Sequence, residues 1–196
     1  LQYLGDVNPK WSGSVNNSFN YKGIILSFLI ETKQGMSMWN GTWGAMTNFG
    51  TSANTLERGT QKVFDGVKGH LDGNNNLVTK GEKNDLKGDI NADYYTGIGS
   101  GFVVNEPFIQ DASWVRLREI SVGYRLTGAS IFKRQKPWFN AVTLTAIGRN
   151  LWLHTDYTGV DPETSLFGTQ EAQGFDYFNN PGSKTYGFSA KFELYV

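Results

Sequence analysis

Apolar and polar residues alternate with period two along several stretches of the chain, and this pattern predicts β-strands with one apolar and one polar face. In Asp111 to Leu126, apolar side chains fall on one parity in the second half, and small or charged side chains fall on the other. Strands are predicted at about 11–21, 24–33, 112–126, 139–153 and 183–196. The fold class predicted is therefore all-β and antiparallel.

The connections between these strands alternate between short and long. Lys22–Gly23 suits a two-residue hairpin turn, and the connection at 127–137 is also short. The loops 34–110 and 154–182 are long, and only a helix at Gly41 to Asn48 is predicted inside them. In an up-and-down meander, alternate connections share one end of the sheet. Both long loops are therefore expected at one end and both short turns at the other.

The apolar side chains at alternate positions of these strands need an apolar environment, which is either a protein core or lipid. Aromatic residues near strand ends, such as Trp138 and Trp152, and small residues on the opposite face are typical of a membrane barrel. A soluble β-sandwich alternates in the same way, so the residues alone leave both structures open. If the barrel is correct, the lipid-facing residues are Ile24, Leu26, Phe28, Ile30, Ile120, Val122, Tyr124, Val142, Leu144, Ala146, Tyr186, Phe188, Phe192 and Leu194.

Composition narrows the function classes. The net charge is zero, from 18 basic and 18 acidic residues, and no basic patch stands out, so no nucleic-acid partner is expected. Cysteine is absent, which excludes a disulfide framework and a cysteine metal site. The longest apolar run, Gly23 to Ile30, is too short for a membrane helix. The chain lacks an initiator methionine and is expected to be part of a longer protein.

No catalytic set is predicted from the sequence. His70 and His154 lack metal-ligand spacing, and the segment from Asp72 is interpreted as a turn rather than a calcium loop. Asp161 and Glu163 form a carboxylate pair that suggests glycoside hydrolysis only weakly, and a loop turn is favoured for them. We therefore predict no enzyme activity, no cofactor and no metal.

The long loops are rich in aromatic residues. A local core that stiffens the loops is the favoured interpretation, and contact with a ligand or a partner protein is the alternative. The candidates for such contacts are Trp39, Trp43, Tyr94, Tyr95, Phe175 and Tyr177.

Several ordered motifs resemble the C-terminal part of SusC/RagA-type TonB-dependent outer-membrane transporters. They are DASWVRLREISVGYRL, IGRNLWLHTDYTGVDPE and NPGSKTYGFSAKFEL. Trp114 stands where the family usually has Phe, and the chain ends on Leu194-Tyr195-Val196, whereas family members often stop on an aromatic residue in the last pair. The resemblance covers most of the chain and is weakest from about 66 to 105.

This resemblance implies that the five strands are the last of a 22-stranded barrel in a bacterial outer membrane. It also implies a nutrient importer for oligosaccharides or oligopeptides, with long loops outside, a SusD-like surface lipoprotein as lid, and TonB acting through a missing N-terminal part. Membrane lipid would contact the barrel wall. The alternative is a soluble, secreted β-sandwich carbohydrate-binding module, and a glycoside hydrolase ranks third.

Overall fold

The computed structural model of the chain describes residues 2–97, 104–128, 139–168 and 173–194. The chain divides into two compact units, residues 1–39 with 109–196, and residues 40–108. In chain order the elements are β1 Trp11–Tyr21, β2 Ile24–Gln34, β3 Ser37–Asn40, α1 Gly41–Asn48, β4 Thr60–Val63, β5 Val67–Leu71, β6 Leu77–Lys83, β7 Lys87–Ile90, α2 Ala92–Thr96, β8 Ile109–Asp111, β9 Trp114–Thr127, β10 Phe139–Thr155, β11 Phe175–Asp176 and β12 Thr185–Leu194.

The main sheet of the first unit has five antiparallel strands in the order β1-β2-β9-β10-β12. Within this sheet each strand pairs with the next one along the chain, so the connectivity is the predicted up-and-down meander. Strong alternation made these strands recognisable, because each one is long enough for period two to repeat several times.

The register of the sheet places the predicted lipid-facing residues on one face. Leu26 is paired with Val122, Val122 with Ala146, and Ala146 with Phe188, so one row of side chains crosses four strands. Ser27 and Ser121 lie on the opposite face, where their hydroxyl oxygens are 2.7 Å apart. Because successive side chains of a strand point to opposite faces, the apolar and the polar side chains stay on separate faces of the sheet.

Two irregularities near the long-loop end preserve this separation. The pairing of β2 with β9 shifts between Leu29 and Ile30, and that of β10 with β9 shifts between Arg149 and Trp152. Beyond the shifts, Ile30 and Trp152 are both paired with Leu117. Each bulge inserts an extra residue, so an apolar side chain stays on the apolar face although the simple alternation is interrupted.

The connections leave the main sheet at opposite ends. The β1–β2 turn has positive φ at both central residues, 50° at Lys22 and 86° at Gly23, as a type I′ hairpin requires. At the other end, Lys33 is paired with Trp114, and Trp114 with Thr155, so both long connections begin there. Most of the β9–β10 connection, including Trp138, lies outside the described residues.

The apolar face does not favour the sandwich alternative, because a sandwich buries that face against a second sheet. In this structure Phe188 is 91% exposed, Leu144 51% and Val122 52%. The large apolar side chains of the face are therefore open to the surroundings rather than packed into a protein core.

The long-loop end of the first unit contains a second, smaller sheet with the order β11-β3-β8. Beside it, Met38, Ala112 and Tyr157 form a small buried cluster. The amide of Trp39 donates to the carbonyl of Gly174 at 2.8 Å, so the segment after β10 is tied to β3 by backbone. This packing gives the second long loop a fixed scaffold.

The second unit corresponds to most of the first long loop. Its helix α1 begins after Asn40, whose side chain accepts from the amide of Trp43 at 2.9 Å, and it covers the predicted span. Two separate antiparallel pairs, β4 with β7 and β5 with β6, were not predicted, because strands of four to seven residues hardly repeat the alternation. Within the described ranges, no helix is long and apolar enough to cross a membrane.

Candidate functional site

A cluster of buried and half-buried ion pairs joins the wall strand β9 to the second long loop. Nη2 of Arg116 lies 2.6 Å from Oδ1 of Asp161, and both side chains are at least nine-tenths buried. Nε of Arg116 lies 3.0 Å from Oε2 of Glu163. Arg118 contacts Glu163 and also lies 2.5 Å from Oε2 of Glu31 on β2. We call Glu31, Arg116, Arg118, Asp161 and Glu163 the loop clamp.

The indole ring of Trp114 packs against the two arginines of the loop clamp. Its side chain is 1% exposed, and the guanidinium carbons of Arg116 and Arg118 lie 5.6 Å and 5.1 Å from the ring centroid. The three residues alternate along β9 and so share one face. An aromatic face attracts a cation most strongly when water is excluded, so Trp114 stabilises the buried charge of Arg116 and, more weakly, the partly exposed charge of Arg118.

The turn at Asp161 is shaped to reach β9. Oδ1 of Asp161 accepts from the amide of Glu163 at 3.0 Å, and the carbonyl of Asp161 accepts from the amide of Thr164 at 3.1 Å. A side-chain cap of this kind fixes the backbone of a turn. The predicted loop turn is therefore present, and in addition its two carboxylates are paired with arginine.

A second buried contact holds the loop together ahead of that turn. The hydroxyl of Tyr157 donates to Oδ2 of Asp176 at 2.7 Å, and Asp176 is fully buried. Burial, followed by the nearby Asp176, raises the pKa of Tyr157 far above its ordinary value, so the phenol stays protonated. A Cβ at position 159 would overlap the ring of Tyr157 and Oδ2 of Asp176, which explains why glycine occupies that position.

The sequence analysis did not predict the loop clamp, although its arginines and two of its carboxylates lie in two of the motifs that resemble the transporter family. The first motif carries Arg116 and Arg118 two residues apart, and the second carries Asp161 and Glu163 two residues apart, 45 residues later. Matching spacing of opposite charges in two motifs was the available signal. It is a weak signal, because such charges are more often solvent-exposed.

Five loop aromatics form a continuous row in the first unit, which we call the aromatic array. Trp39 is at its centre, 5.8 Å from the ring of Phe175 and 6.3 Å from Tyr177 between centroids. Phe167 extends the row beyond Phe175 at 6.0 Å, and Phe178 extends it beyond Tyr177 at 5.0 Å. Of the predicted contact residues, the array thus brings together Trp39, Phe175 and Tyr177.

The other predicted loop aromatics belong to the second unit. Trp43 packs on Phe108 at 5.0 Å, and its Nε1 donates to Oγ of Ser52 at 3.1 Å. Tyr95 is 5% exposed and donates to the carbonyl of Asn54, and Tyr94 packs against it at 5.0 Å. These three residues contribute to the packing of that unit, and burial raises the pKa of Tyr95.

The described residues include no group of three or more His, Asp or Glu side chains that could hold a metal ion. The turn predicted from Asp72 onward lies between β5 and β6. In it, Oδ1 of Asp72 accepts from the amides of Asn74 and Asn76 at 2.9 Å and 2.8 Å. These bonds, led by that from Asn76, lower the pKa of Asp72, as expected for a turn-capping carboxylate. His154 is stacked on Trp152, with the ring centroids 6.1 Å apart.

The predicted lipid-facing residues differ in exposure. Most are exposed, Leu26, Phe28 and Ile120 are half-buried, and Val142 is buried at 7% exposure. Val142 is paired with Leu126 on one side and Phe192 on the other, and these larger neighbours flank it on the same face. The face is therefore continuous and apolar from β2 to β12.

The fold defines the class of this chain: it is an antiparallel up-and-down segment of a β-barrel wall with two long connections at one end. Comparison with known proteins agrees with this assignment to a barrel wall. The chain is 24% identical over 197 residues to TonB-dependent receptor P3 of Formosa agariphila, and the match covers 96% of the chain and 17% of that receptor. No known family model matches the chain.

Solved structures of the RagAB peptide importer have a similar fold. In the "open-open" state the TM-score is 0.59 at 17% identity, covering 95% of this chain and 17% of the other. In the "closed-closed" state the TM-score is 0.61 at 17% identity, and the match covers 96% of this chain and 18% of the other. The chain thus spans about a sixth of the length of these proteins. The resemblance to SusC/RagA-type TonB-dependent transporters is confirmed.

Proposed function

We propose that this chain forms part of the barrel wall and outer mouth of a TonB-dependent nutrient importer in a bacterial outer membrane. The observation that carries the proposal is the exposed apolar face that runs across the five strands of the main sheet. Side chains as exposed as Phe188 and Leu144 need lipid around them, because water would leave a large apolar area uncovered. The predicted lipid-facing residues are the ones that contact the acyl chains.

The opposite face suits the interior of a large barrel. It carries small residues such as Ser27 and Ser121, and ion pairs between Arg149 and Glu119 and between Arg125 and Glu193. Barrel interiors are polar and hydrated or are filled by a plug. Five strands leave two edges unpaired, and hydrocarbon does not tolerate unpaired edges, so further strands complete the wall, to 22 in total as the family resemblance implies.

The substrate we propose is an oligosaccharide or an oligopeptide that enters between the long loops. RagAB is described as a peptide importer, and the P3 protein is described as a TonB-dependent receptor. By analogy, a SusD-like surface lipoprotein covers the loop end, and the TonB complex acts through a part of the protein outside this chain. The chain contributes walls and contacts rather than catalysis.

Purification of the complete protein from outer membranes in mild detergent tests this proposal. We expect a heat-modifiable β-barrel that co-purifies with a lipoprotein, and TonB-dependent uptake of labelled oligosaccharide or peptide by cells that make it. A water-soluble, monodisperse protein that needs no detergent would contradict the proposal.

A further inference from the structure

We propose that the apolar face of the main sheet binds one anionic glycerophospholipid at its short-turn end, with an acyl chain in a groove across the strands and the headgroup at Lys22. This inference rests on the proposed function, because it assumes that the apolar face contacts lipid. It goes further by assigning one class of lipid to one place on that face.

A groove of about 670 Å³ lies on the apolar face across β2, β9, β10 and β12, and we call it the lipid groove. Its floor is low where Ala146 and Ala190 lie as diagonal neighbours on β10 and β12. The larger residues Val122, Leu144 and Phe188 are exposed and form its sides. Its volume falls within the range of about 300–1,000 Å³ that suits a single small ligand.

The lining of the lipid groove is apolar, and among the described residues no charged side chain contributes to it. Thr145 and Ser189 also line it, but they are paired with each other on the strand positions whose side chains point to the polar face. Hydrocarbon fills such a groove without leaving a polar group unpaired. A flexible acyl chain is therefore the part of a lipid that matches it.

The lipid groove reaches the β1–β2 hairpin turn. Ile24, the first residue after the turn, lines the groove together with Tyr124. A Cβ on Gly23 would lie 3.6 Å from Cε2 of Tyr124, and the amide of Arg125 donates to the carbonyl of Gly23 at 2.7 Å. The turn that carries Lys22 is therefore fixed beside the end of the groove.

The ammonium group of Lys22 lies on the apolar side of the sheet. Its Nζ is 5.2 Å from the ring centroid of Tyr21. Tyr21 is paired with Ile24, so its ring belongs to the apolar face. In the part of the chain that the structure describes, no carboxylate forms an ion pair with Lys22. A cation without a counter-ion thus stands at the end of the lipid groove.

Three other charged residues of the described strands at this end belong to the polar face. Arg125 and Lys191 are both paired with Thr143, on the polar side of β10. Nη2 of Arg125 lies 2.6 Å from Oε2 of Glu193, so these two charges compensate each other. Among the described residues, Lys22 is therefore the cation that this end of the apolar face presents.

A glycerophospholipid matches the groove and the cation together. Its acyl chains end at a phosphate, and a lysine beside the membrane surface attracts anionic headgroups. An ethanolamine headgroup carries its own ammonium group, which competes for the phosphate, whereas a glycerol headgroup carries none. The rings of Tyr21 and Tyr124 suit the boundary between hydrocarbon and headgroups, where amphipathic aromatics concentrate. These features favour a phospholipid with net negative charge, such as phosphatidylglycerol.

The experiment uses the complete protein, purified in mild detergent and stripped of lipid. Phosphatidylglycerol and phosphatidylethanolamine with identical acyl chains are titrated separately, and native mass spectrometry counts the lipid molecules that each protein retains. Lys22→Gln removes the cation, and Ala146→Phe fills the lipid groove without adding charge. Unheated and heated gel samples verify that each variant is folded.

Each test variant has a matched control. Lys184→Gln removes an exposed lysine that directly precedes β12, at the opposite end of the sheet. Val15→Phe enlarges an exposed apolar residue that is paired with Ile30, on the same face but outside the lipid groove.

We expect the wild type to prefer phosphatidylglycerol and Lys22→Gln to lose about fivefold in affinity for that lipid alone, the effect of one lysine at a membrane surface. Ala146→Phe should weaken both lipids equally, by about tenfold, because about two methylene groups of the acyl chain lose their contact with the groove. Both controls should bind like the wild type.

Several results would overturn the inference. They are equal binding of the two lipids by the wild type, an unchanged preference in Lys22→Gln, and equal weakening by Val15→Phe and Ala146→Phe. Displacement of phosphatidylglycerol by an equimolar amount of lipopolysaccharide would assign the lipid groove to that lipid instead. A lipid-free dimer that Ala146→Phe dissociates would assign it to a second copy of the chain.

The two proposals fail differently in these experiments. If the complete protein is soluble and monodisperse without detergent, the proposed function is wrong. If it is a heat-modifiable barrel that binds both lipids alike, the proposed function stands and only the lipid site is wrong.

Discussion

Arg116 anchors the second long loop to strand β9. It is 5% exposed and lies against two carboxylates of that loop. A buried pair adds little net stability over an apolar pair, but removal of one partner leaves the other charge buried and uncompensated. The loop clamp therefore specifies where the loop sits more than it stabilises the fold.

Arg116→Ala should cost roughly 3–5 kcal/mol of loop docking, because Asp161 would keep its burial and lose its arginine. We expect chymotrypsin to cut the complete protein within the loop, at the exposed Phe167, at least a hundredfold faster than in the wild type. Mass spectrometry of the fragments identifies the cut.

The control for this experiment is Arg149→Ala, which breaks a comparable pair at the surface. Arg149 and Glu119 are 57% and 38% exposed, so their pair is worth at most about 1 kcal/mol. Equal cleavage of the two variants would show that burial of the loop clamp does not hold the loop.

At the scale of elements, the strands of the main sheet could be predicted because each has ten or more residues of alternating character. The Lys22–Gly23 turn could be predicted because glycine accepts a positive φ at no steric cost. The pairs β4–β7 and β5–β6 could not, because most of their side chains are exposed and no apolar face marks them.

The candidate site was predictable only in part. The aromatic residues of the loops stand out in composition, but which of them meet depends on β3 and β11 pairing across more than 130 residues of chain. The loop clamp likewise joins Arg116 to Asp161 through folding of the whole loop. Long-range pairing of this kind leaves no local trace in a single sequence.

The substitution Phe188→Arg tests which face of the main sheet contacts lipid, at one position of strand β12. Phe188 lies in the interior of β12, and a basic side chain on the lipid face near the bilayer midplane costs roughly 2–4 kcal/mol. If the proposed function is correct, we expect less heat-modifiable, folded protein in the outer-membrane fraction than for the wild type, as read from unheated and heated gel samples.

Ser189→Arg is the matched control, because it places the same charge one residue along on the polar face, opposite Thr145. We expect near wild-type levels of folded protein for this variant. If both variants fold equally well, the assignment of lipid and interior faces is wrong.

At the largest scale, the first unit has two chemically different ends. The Lys22–Gly23 hairpin marks one end, and the loop clamp and the aromatic array mark the other. Outer-membrane barrels place short turns in the periplasm and long loops outside the cell. The proposed function therefore requires the long-loop end of the sheet to face outward.

Cysteine labelling of intact cells measures this directly, since the chain contains no cysteine of its own. Val160→Cys marks the second long loop at a residue that is 42% exposed, and Lys22→Cys marks the exposed hairpin turn. With a membrane-impermeant maleimide we expect Val160→Cys to be labelled on intact cells and Lys22→Cys only after the outer membrane is permeabilised. Equal labelling of both variants on intact cells, or labelling of Lys22→Cys alone, would contradict the account.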